Sequence, residues 1–131
     1  MSTATSRTDP AQHGDWPNYD YDASRAANLA IYNALQSRGN STFGDITLYP
    51  QNINLPGTAL GTFALRGSAT VLFETSSQTQ FRNNQQRNGL LIKQVEDGVM
   101  GLLNAITDGS INNLDPNDYD NIPNRLPFPR N

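Results

Sequence analysis

Cysteine is absent from this chain of 131 residues, and histidine occurs once, at position 13. The chain can therefore form neither a disulfide framework nor a thiolate metal site, and it has no cysteine nucleophile. A Ser, His, Asp triad would depend on His13, which lies in a polar segment without periodicity. Zinc and iron sites are disfavoured because they use Cys and His as ligands. We expect no enzymatic activity and no bound cofactor or metal.

Charge and long apolar runs are also scarce. Charged residues form 16% of the sequence, the formal net charge is -3, and sixteen asparagines and eight glutamines supply much of the polar surface. Because electrostatic binding of nucleic acid needs clustered Lys and Arg, we expect none here. The sequence has neither the roughly eighteen apolar residues of a membrane span nor the apolar region of a signal peptide. We expect a soluble protein.

The alternation of residues 62–75 is the strongest pattern in the sequence. Apolar residues fall on one parity and polar residues on the other, as in a half-buried β-strand or a tight hairpin. Gly67 predicts a bulge or the close approach of another backbone. We expect this segment to be the core strand. Its apolar parity consists of Phe63, Leu65, Ala69, Val71 and Phe73.

A first helix is predicted over residues 23–38. Asp20 or Asp22 can cap its N-terminus, because a short side-chain oxygen accepts from the free N–H groups of the first turn. Gly39 stands where a left-handed residue ends a helix. The apolar stripe, at three-and-four spacing, consists of Ala27, Ala30, Ile31, Ala34 and Leu35.

A short strand is predicted over residues 45–49. Ile46 and Leu48 fall on one of its faces, and Pro50 ends it. The following stretch, rich in proline and glycine, predicts a long exposed loop.

Two interpretations fit the region before Gly109. In the first, a long helix begins in the eighties, ends at Gly109 and buries one apolar stripe. In the second, residues 89–95 form a strand and only residues 97–107 are helical. Persistent three-and-four spacing favours the first, although Gly98 and Gly101 each cost about 1 kcal/mol relative to alanine. The stripe that a long helix would bury is Leu91, Val95, Val99, Leu102, Leu103 and Ile106.

Two arms are predicted, over residues 1–21 and 110–131, around a core of residues 22–109. Both are rich in polar residues and proline, and the prolines of the second exclude a regular helix or a central strand. Some of their side chains carry more apolar area than a free tail requires, which predicts docking on a partner. For the second arm, packing against its own core is the alternative. The predicted anchors are Trp16, Tyr19, Tyr21, Leu126 and Phe128.

The charged clusters have weaker interpretations. Residues 115–120 hold three carboxylates but lack the glycine and glutamate of an EF-hand, so we expect a solvated turn. Glu96 and Asp97 are adjacent and do not face each other on a helix, so we expect a solvated face rather than an acid and base pair. Arg82 and Arg87 flank a run of Asn and Gln residues and are candidates for binding an acidic partner or a phosphate. No Gly-rich phosphate loop supports nucleotide binding.

These segments together predict an α+β fold, a small antiparallel sheet packed by two helices, with extended N- and C-terminal arms. The order of helix, sheet and helix over residues 23–108 resembles that of tail-terminator and head-to-tail connector subunits of tailed phages. The resemblance implies a homo-oligomeric ring, often a hexamer, in the neck or at the end of a tail tube. It implies assembly through sheet edges and arms, other virion structural proteins as partners, and a location in the virion after assembly in the host cytoplasm.

Three other interpretations stay open. A capsid cement or decoration protein would use its arms to join capsomers. A small ligand-binding or hydrolytic domain would need polar residues that converge between the sheet and the second helix, for which Tyr49, Arg66 and Glu74 are candidates. A bacterial accessory protein unrelated to viruses is the third.

Overall fold

The structure is a computed structural model that describes residues 2–4, 18–39, 46–48, 57–75 and 88–124. These residues form short strands, three α-helices and two 3-10 helices. In chain order they are β1 (Ser2–Ala4), α1 (Tyr21–Gln36), β2 (Thr47–Leu48), α2 (Ala59–Leu65), β3 (Leu72–Glu74), α3 (Asn88–Thr107), η1 (Ser110–Asn113) and η2 (Pro116–Asn121).

Helices dominate the described residues, so the predicted α+β fold with a small antiparallel sheet is wrong. The helices α1 and α3 have 16 and 20 residues, whereas the described strands have two or three residues each. The strands lie in the order β2-β1-β3, with β1 parallel to β2 and antiparallel to β3. Strands this short, in mixed parallel and antiparallel pairing, do not form a sheet face large enough for two helices to pack on. The two long helices pack on each other instead.

The helix α1 forms the centre of the described structure. As the sequence predicts, Asp20 caps it, and its carboxylate accepts a hydrogen bond from the Ala23 N–H at 3.0 Å. Every residue from 24 to 31 is buried, so this part of the helix is enclosed on all sides and not along one stripe only. The predicted role of Gly39 is confirmed, because it has a φ of +84° and its N–H donates to the Gln36 carbonyl at 2.9 Å.

Two buried polar residues of α1 hold the segment that leads into β3. The amide of Asn28 donates to the carbonyl oxygens of Ser24 and Thr70, at 2.7 and 3.3 Å. The backbone N–H of Thr70 donates to Ser24 Oγ at 3.1 Å. Because Ser24 and Asn28 are fully buried, these bonds satisfy groups that would otherwise destabilise the core.

The predicted core strand over residues 62–75 is wrong over most of its length, because residues 62–65 are helical and residues 66–71 are not in a strand. The Thr58 hydroxyl caps α2 and accepts a hydrogen bond from the Gly61 N–H at 3.2 Å. The helix buries Gly61 and Ala64 and leaves Phe63 58% exposed. The alternation placed Phe63 and Leu65 on the buried face, whereas the helix exposes both and buries Ala64, which has the opposite parity. Only Leu72–Glu74 is a strand.

Gly67 ends α2. It has a φ of +79°, its N–H donates to the Ala64 carbonyl at 3.0 Å, and the next N–H, of Ser68, donates to the Phe63 carbonyl at 3.2 Å. This is the pattern of a Schellman motif, which favours glycine at the left-handed position. A Cβ built on Gly67 would lie 3.0 Å from the Asn18 carbonyl oxygen. The predicted close approach of another backbone is therefore present.

The described part of the predicted strand at residues 45–49 is β2 and the residue before it. Ile46 and Leu48 are 4% and 2% exposed, as their shared face predicts. The N–H of Leu48 donates to the Pro123 carbonyl at 2.7 Å, which brings the C-terminal segment beside β2. Asp45 and Tyr49 lie outside the described residues.

Parts of both predicted arms lie against the core. The N-terminal β1 pairs with β2 and with β3. In the C-terminal segment, Tyr119 and Ile122 join Leu29 and Leu48 in one buried apolar cluster, and Tyr119 is only 1% exposed. The described part of the C-terminal segment therefore contributes to the core of its own chain.

Candidate functional site

The helix α3 presents a stripe of large apolar side chains to solvent. The first interpretation of this region, one long helix, is confirmed by its single span Asn88–Thr107. A helix turns by about 100° per residue, which places five exposed residues within an arc of about 80°. We call these five residues the outer stripe. They are Ile92 (67% exposed), Val95 (43%), Val99 (43%), Leu103 (50%) and Ile106 (55%).

The inner face of α3, which contacts α1, contains small residues. A Cβ built on Gly101 would overlap the methyl group of Ala34, and one built on Gly98 would lie 3.2 Å from the Phe73 ring and 3.3 Å from Ile31. Glycine at these positions lets the two helix backbones approach closely. Because this contact fixes which side of α3 faces α1, the larger side chains point away from the core.

The prediction that α3 buries six apolar residues is therefore wrong for four of them. Leu91 and Leu102 are half-buried, and Leu102 packs against the cluster of Ile31, Leu35 and Ile46. The signal for the inner face was the spacing of the two glycines, which marks a place of close helix approach. The four residues that were predicted to be buried and are exposed are Val95, Val99, Leu103 and Ile106.

Apolar grooves adjoin both ends of the outer stripe. One, of about 480 Å³, lies beside Ile92 and Val95 and extends to Thr75 after β3. The other, of about 390 Å³, lies beside Ile106 and is lined by alanines of α1 and by residues before β3 and in η1. Among the described residues that line the two grooves, Glu96 is the only charged one. The stripe and the grooves thus form one apolar surface.

A charged cluster ties α3 to the end of α1. Asp97 Oδ1 lies 2.9 Å from Lys93 Nζ and 3.0 Å from Arg38 Nη2. The hydrogen bond from Lys93 lowers the pKa of Asp97 below its usual value, against the opposite effect of burial, and keeps the carboxylate ionised. The Asp97 side chain is 8% exposed, so the prediction of a solvated position is wrong for it. Glu96 is 58% exposed, as predicted.

The carboxylates of residues 115–120 belong to η2 and have structural partners. Asp115 caps η2 and accepts from the Asn117 N–H at 2.9 Å. Asp120 accepts two hydrogen bonds from Arg25, at 2.9 and 3.0 Å, in the fork arrangement typical of a guanidinium and a carboxylate. The predicted simple solvated turn is therefore an ordered 3-10 helix. Within the described ranges, no group of three or more His, Asp or Glu side chains forms a metal site.

The predicted arm anchors that the structure describes, Tyr19 and Tyr21, contact their own chain. Tyr19 is 6% exposed and packs with Ala64 of α2. The ring of Tyr21 lies edge-on to that of Tyr19, with centroids 6.3 Å apart, and its face lies 4.4 Å from the Arg25 guanidinium carbon. The other predicted partner-binding residues lie outside the described residues. These are Trp16, Arg82, Arg87, Leu126 and Phe128.

The two pocket candidates that the structure describes, Arg66 and Glu74, lie away from the grooves beside the outer stripe. Arg66 is exposed at the end of α2, and Glu74 is half-buried at the end of β3. Neither residue lines either groove beside the outer stripe. The third candidate, Tyr49, lies outside the described residues.

Comparison with protein-family models, curated proteins and solved structures found no match to this chain. The exposed surface of the described residues is therefore the remaining guide to function. Of the helices that the structure describes, none combines the length and the apolar character needed to cross a bilayer.

Proposed function

We propose that the protein is a non-catalytic assembly subunit that self-associates through the outer stripe of α3. The observation that carries this proposal is the exposure of five large apolar side chains on one side of a helix whose other side is held by α1. Soluble monomers rarely expose large contiguous apolar patches, and such patches commonly mark interaction surfaces.

The free energies involved support reversible association. Burying a Val, Leu or Ile side chain completely contributes about 1.5–3 kcal/mol. With exposed fractions of 43% to 67%, the outer stripe would contribute roughly 4–8 kcal/mol for each subunit. Association costs about 4–15 kcal/mol in lost translational and rotational freedom. Two stripes together contribute about 8–16 kcal/mol, which is comparable to that cost, and we expect weak association with a dissociation constant in the millimolar range.

A ligand-binding or hydrolytic function has less support. Such sites place a few convergent polar groups in an apolar cavity. The grooves beside α3 are lined almost entirely by apolar residues, and Arg66 and Glu74 lie elsewhere. The charged residues form ion pairs that join secondary-structure elements, since Arg38 binds Asp97 and Arg25 binds Asp120.

The virion setting stays a prediction. The resemblance to tail-terminator and connector subunits included a small antiparallel sheet, which the described residues do not form. A tail terminator, a neck ring and a cement protein all have to assemble, so the proposed self-association is compatible with each of them. It differs from the first expectation in using a helix face and not sheet edges and arms.

The test compares two substitutions at neighbouring positions of α3. Leu103→Glu places a carboxylate in the outer stripe, whereas Asn104→Glu makes the same charge change at an exposed residue on another side of the helix. In sedimentation velocity from micromolar to millimolar concentration, the wild type and N104E should gain mass with concentration and L103E should stay monomeric. Circular dichroism would verify that both variants are folded. A monomeric wild type, or equal loss of association in both variants, would contradict the proposal.

A further inference from the structure

We infer that Asn88 is a site of spontaneous deamidation, at which water converts the side-chain amide to a carboxylate through a cyclic imide with Gly89. The reaction does not depend on the proposed self-association. It proceeds best where glycine follows the reacting residue, because the backbone nitrogen of the next residue attacks the side-chain carbon and a Cβ there hinders ring closure. The sequence has one Asn-Gly pair, at Asn88, and two Asp-Gly pairs, at Asp97 and Asp108.

The chemistry at Asn88 needs only water and the chain itself. The Gly89 N–H gives its proton to hydroxide, its nitrogen bonds to the side-chain carbon of Asn88, and ammonia leaves to form the imide. Water then opens the imide at either of its two carbonyl carbons. One opening leaves an ordinary aspartate, and the other leaves isoaspartate, in which the main chain runs through the former side chain.

The structure leaves the attacking nitrogen of this pair accessible. Asn88 and Gly89 are both exposed, and no atom lies within 4 Å of a Cβ built on Gly89. Because α3 begins at Asn88, the N–H of Gly89 is among the first N–H groups of the helix, which have no carbonyl partner within it. The hydrogen bonds of the helix therefore do not hold the nitrogen that attacks.

The position of Asn88 at the end of the helix also lowers the cost of ring closure. The reacting residue has to leave the helical ψ of about −42°. At Asn88 this rotation breaks at most the first hydrogen bond of α3, and helix ends fray at almost no cost in free energy. At Asp97 the same rotation would break about three hydrogen bonds in the middle of the helix. Of the two pairs in α3, we therefore expect the one at the helix end to react.

The two Asp-Gly pairs are protected by contacts of their carboxylates. The Asp97 side chain is 8% exposed and pairs with Lys93 and Arg38. Asp108 accepts a hydrogen bond from the Ser110 N–H at 2.8 Å, and the hydrogen bonds from Ser110 lower the pKa of Asp108 below its usual value. An ionised carboxylate resists attack by a nitrogen nucleophile, so we expect neither residue to react at neutral pH.

Deamidation changes the charge at the beginning of α3. It adds one negative charge to a chain whose formal net charge is -3. The first turn of α3 has no acidic residue, and a carboxylate is favourable there because the N-terminal end of a helix carries a partial positive charge. The aspartate product should therefore keep the helix intact from its first residue. Isoaspartate, with one more main-chain carbon, should move the start of the helix beyond residue 88.

The test follows the modification in the full chain under native conditions. The purified protein is incubated at neutral and at mildly alkaline pH, digested with pepsin at acidic pH, and measured by liquid chromatography with mass spectrometry. The fragment that contains Asn88 should gain the mass difference between an amide and a carboxyl group and separate into aspartate and isoaspartate forms, faster at the higher pH. Asp97 and Asp108 should give no isoaspartate over the same period.

Gly89→Ala is the matched variant, because it keeps Asn88 and adds a Cβ in open space. It should slow the reaction by about tenfold, since the added Cβ restricts the backbone and hinders ring closure. Circular dichroism would verify that the variant is folded. Equal rates in the wild type and in G89A would overturn the inference. So would a folded chain in which Asn88 stays unmodified while the same chain reacts in urea, because α3 would then protect the site.

Discussion

Arg25 is a buried cation held by two aromatic rings and one partly solvated carboxylate. Its side chain is 3% exposed, and its guanidinium carbon lies 4.4 Å from the Tyr21 ring centroid and 5.0 Å from that of Tyr119. Aromatic faces attract cations, and Asp120 remains 60% exposed, so little desolvation of the carboxylate opposes the pair. Arg25 thereby joins the beginning of α1 to η2.

Replacing Asp120 by Asn should destabilise the fold. The change leaves the buried Arg25 guanidinium without its anionic partner, and we expect a loss of about 1–2 kcal/mol of unfolding free energy, limited by the solvent exposure of the carboxylate. Asp118→Asn is the matched control in the same 3-10 helix, since Asp118 accepts a hydrogen bond from Asn121 on the exposed surface. It should change stability by less than about 0.5 kcal/mol. Urea denaturation at one fixed protein concentration measures both, and equal losses would show that the ion pair contributes nothing specific.

At the level of secondary-structure elements, the close contact between α1 and α3 depends on glycines, which have no side chain to separate the two helices. Gly101→Ala should gain up to about 1 kcal/mol in helix propensity but lose about 1–3 kcal/mol through overlap with Ala34, for a net destabilisation. Gly89→Ala, where no atom lies within 4 Å of the built Cβ, should be neutral or stabilising. Adding Ala34→Gly to the G101A variant should recover part of the loss. Urea denaturation provides the comparison, and equal stabilisation by both alanines would rule out the close contact.

The sequence predicted α1 and α3 because their signals are local. The cap at Asp20, the left-handed Gly39 and the three-and-four period each depend only on residues within a few positions along the chain. The segment of α2 was misread because the alternation placed Phe63 and Leu65 on the buried face, whereas the helix exposes both and buries Ala64. The strand β1 was missed because its partners, β2 and β3, are supplied by distant parts of the chain.

Four of the five residues of the outer stripe were predicted to share a helix face, but Ile92 was not among them and the face was expected to be buried. Val95, Val99, Leu103 and Ile106 were recognised as one face of a long helix, and a stripe of that kind normally faces the core. Which face of α3 contacts α1 is decided by where two backbones approach closely, at Gly101 and Ala34. This contact depends on both helices, so the apolar periodicity of α3 alone does not predict it.

At the scale of the whole molecule, the C-terminal segment belongs partly to the core and has to be tested in two pieces. Deleting residues 110–131 removes Tyr119 and Ile122 from the cluster around Leu29 and takes Asp120 from Arg25. Losing a large buried side chain typically costs about 2–5 kcal/mol, and the total stability of a domain is only about 5–15 kcal/mol. We expect this deletion to unfold the protein, which circular dichroism would detect, so it does not report on assembly.

Deleting residues 125–131 alone keeps those core contacts and separates the two routes to association. The deleted piece contains Leu126 and Phe128, the predicted C-terminal anchors, and leaves the outer stripe intact. If self-association runs through α3, the truncated protein should stay folded and show the same rise of mass with concentration in sedimentation velocity as the full chain. A folded variant that has become monomeric would instead assign the interface to the C-terminal anchors, because the outer stripe would then be present and insufficient.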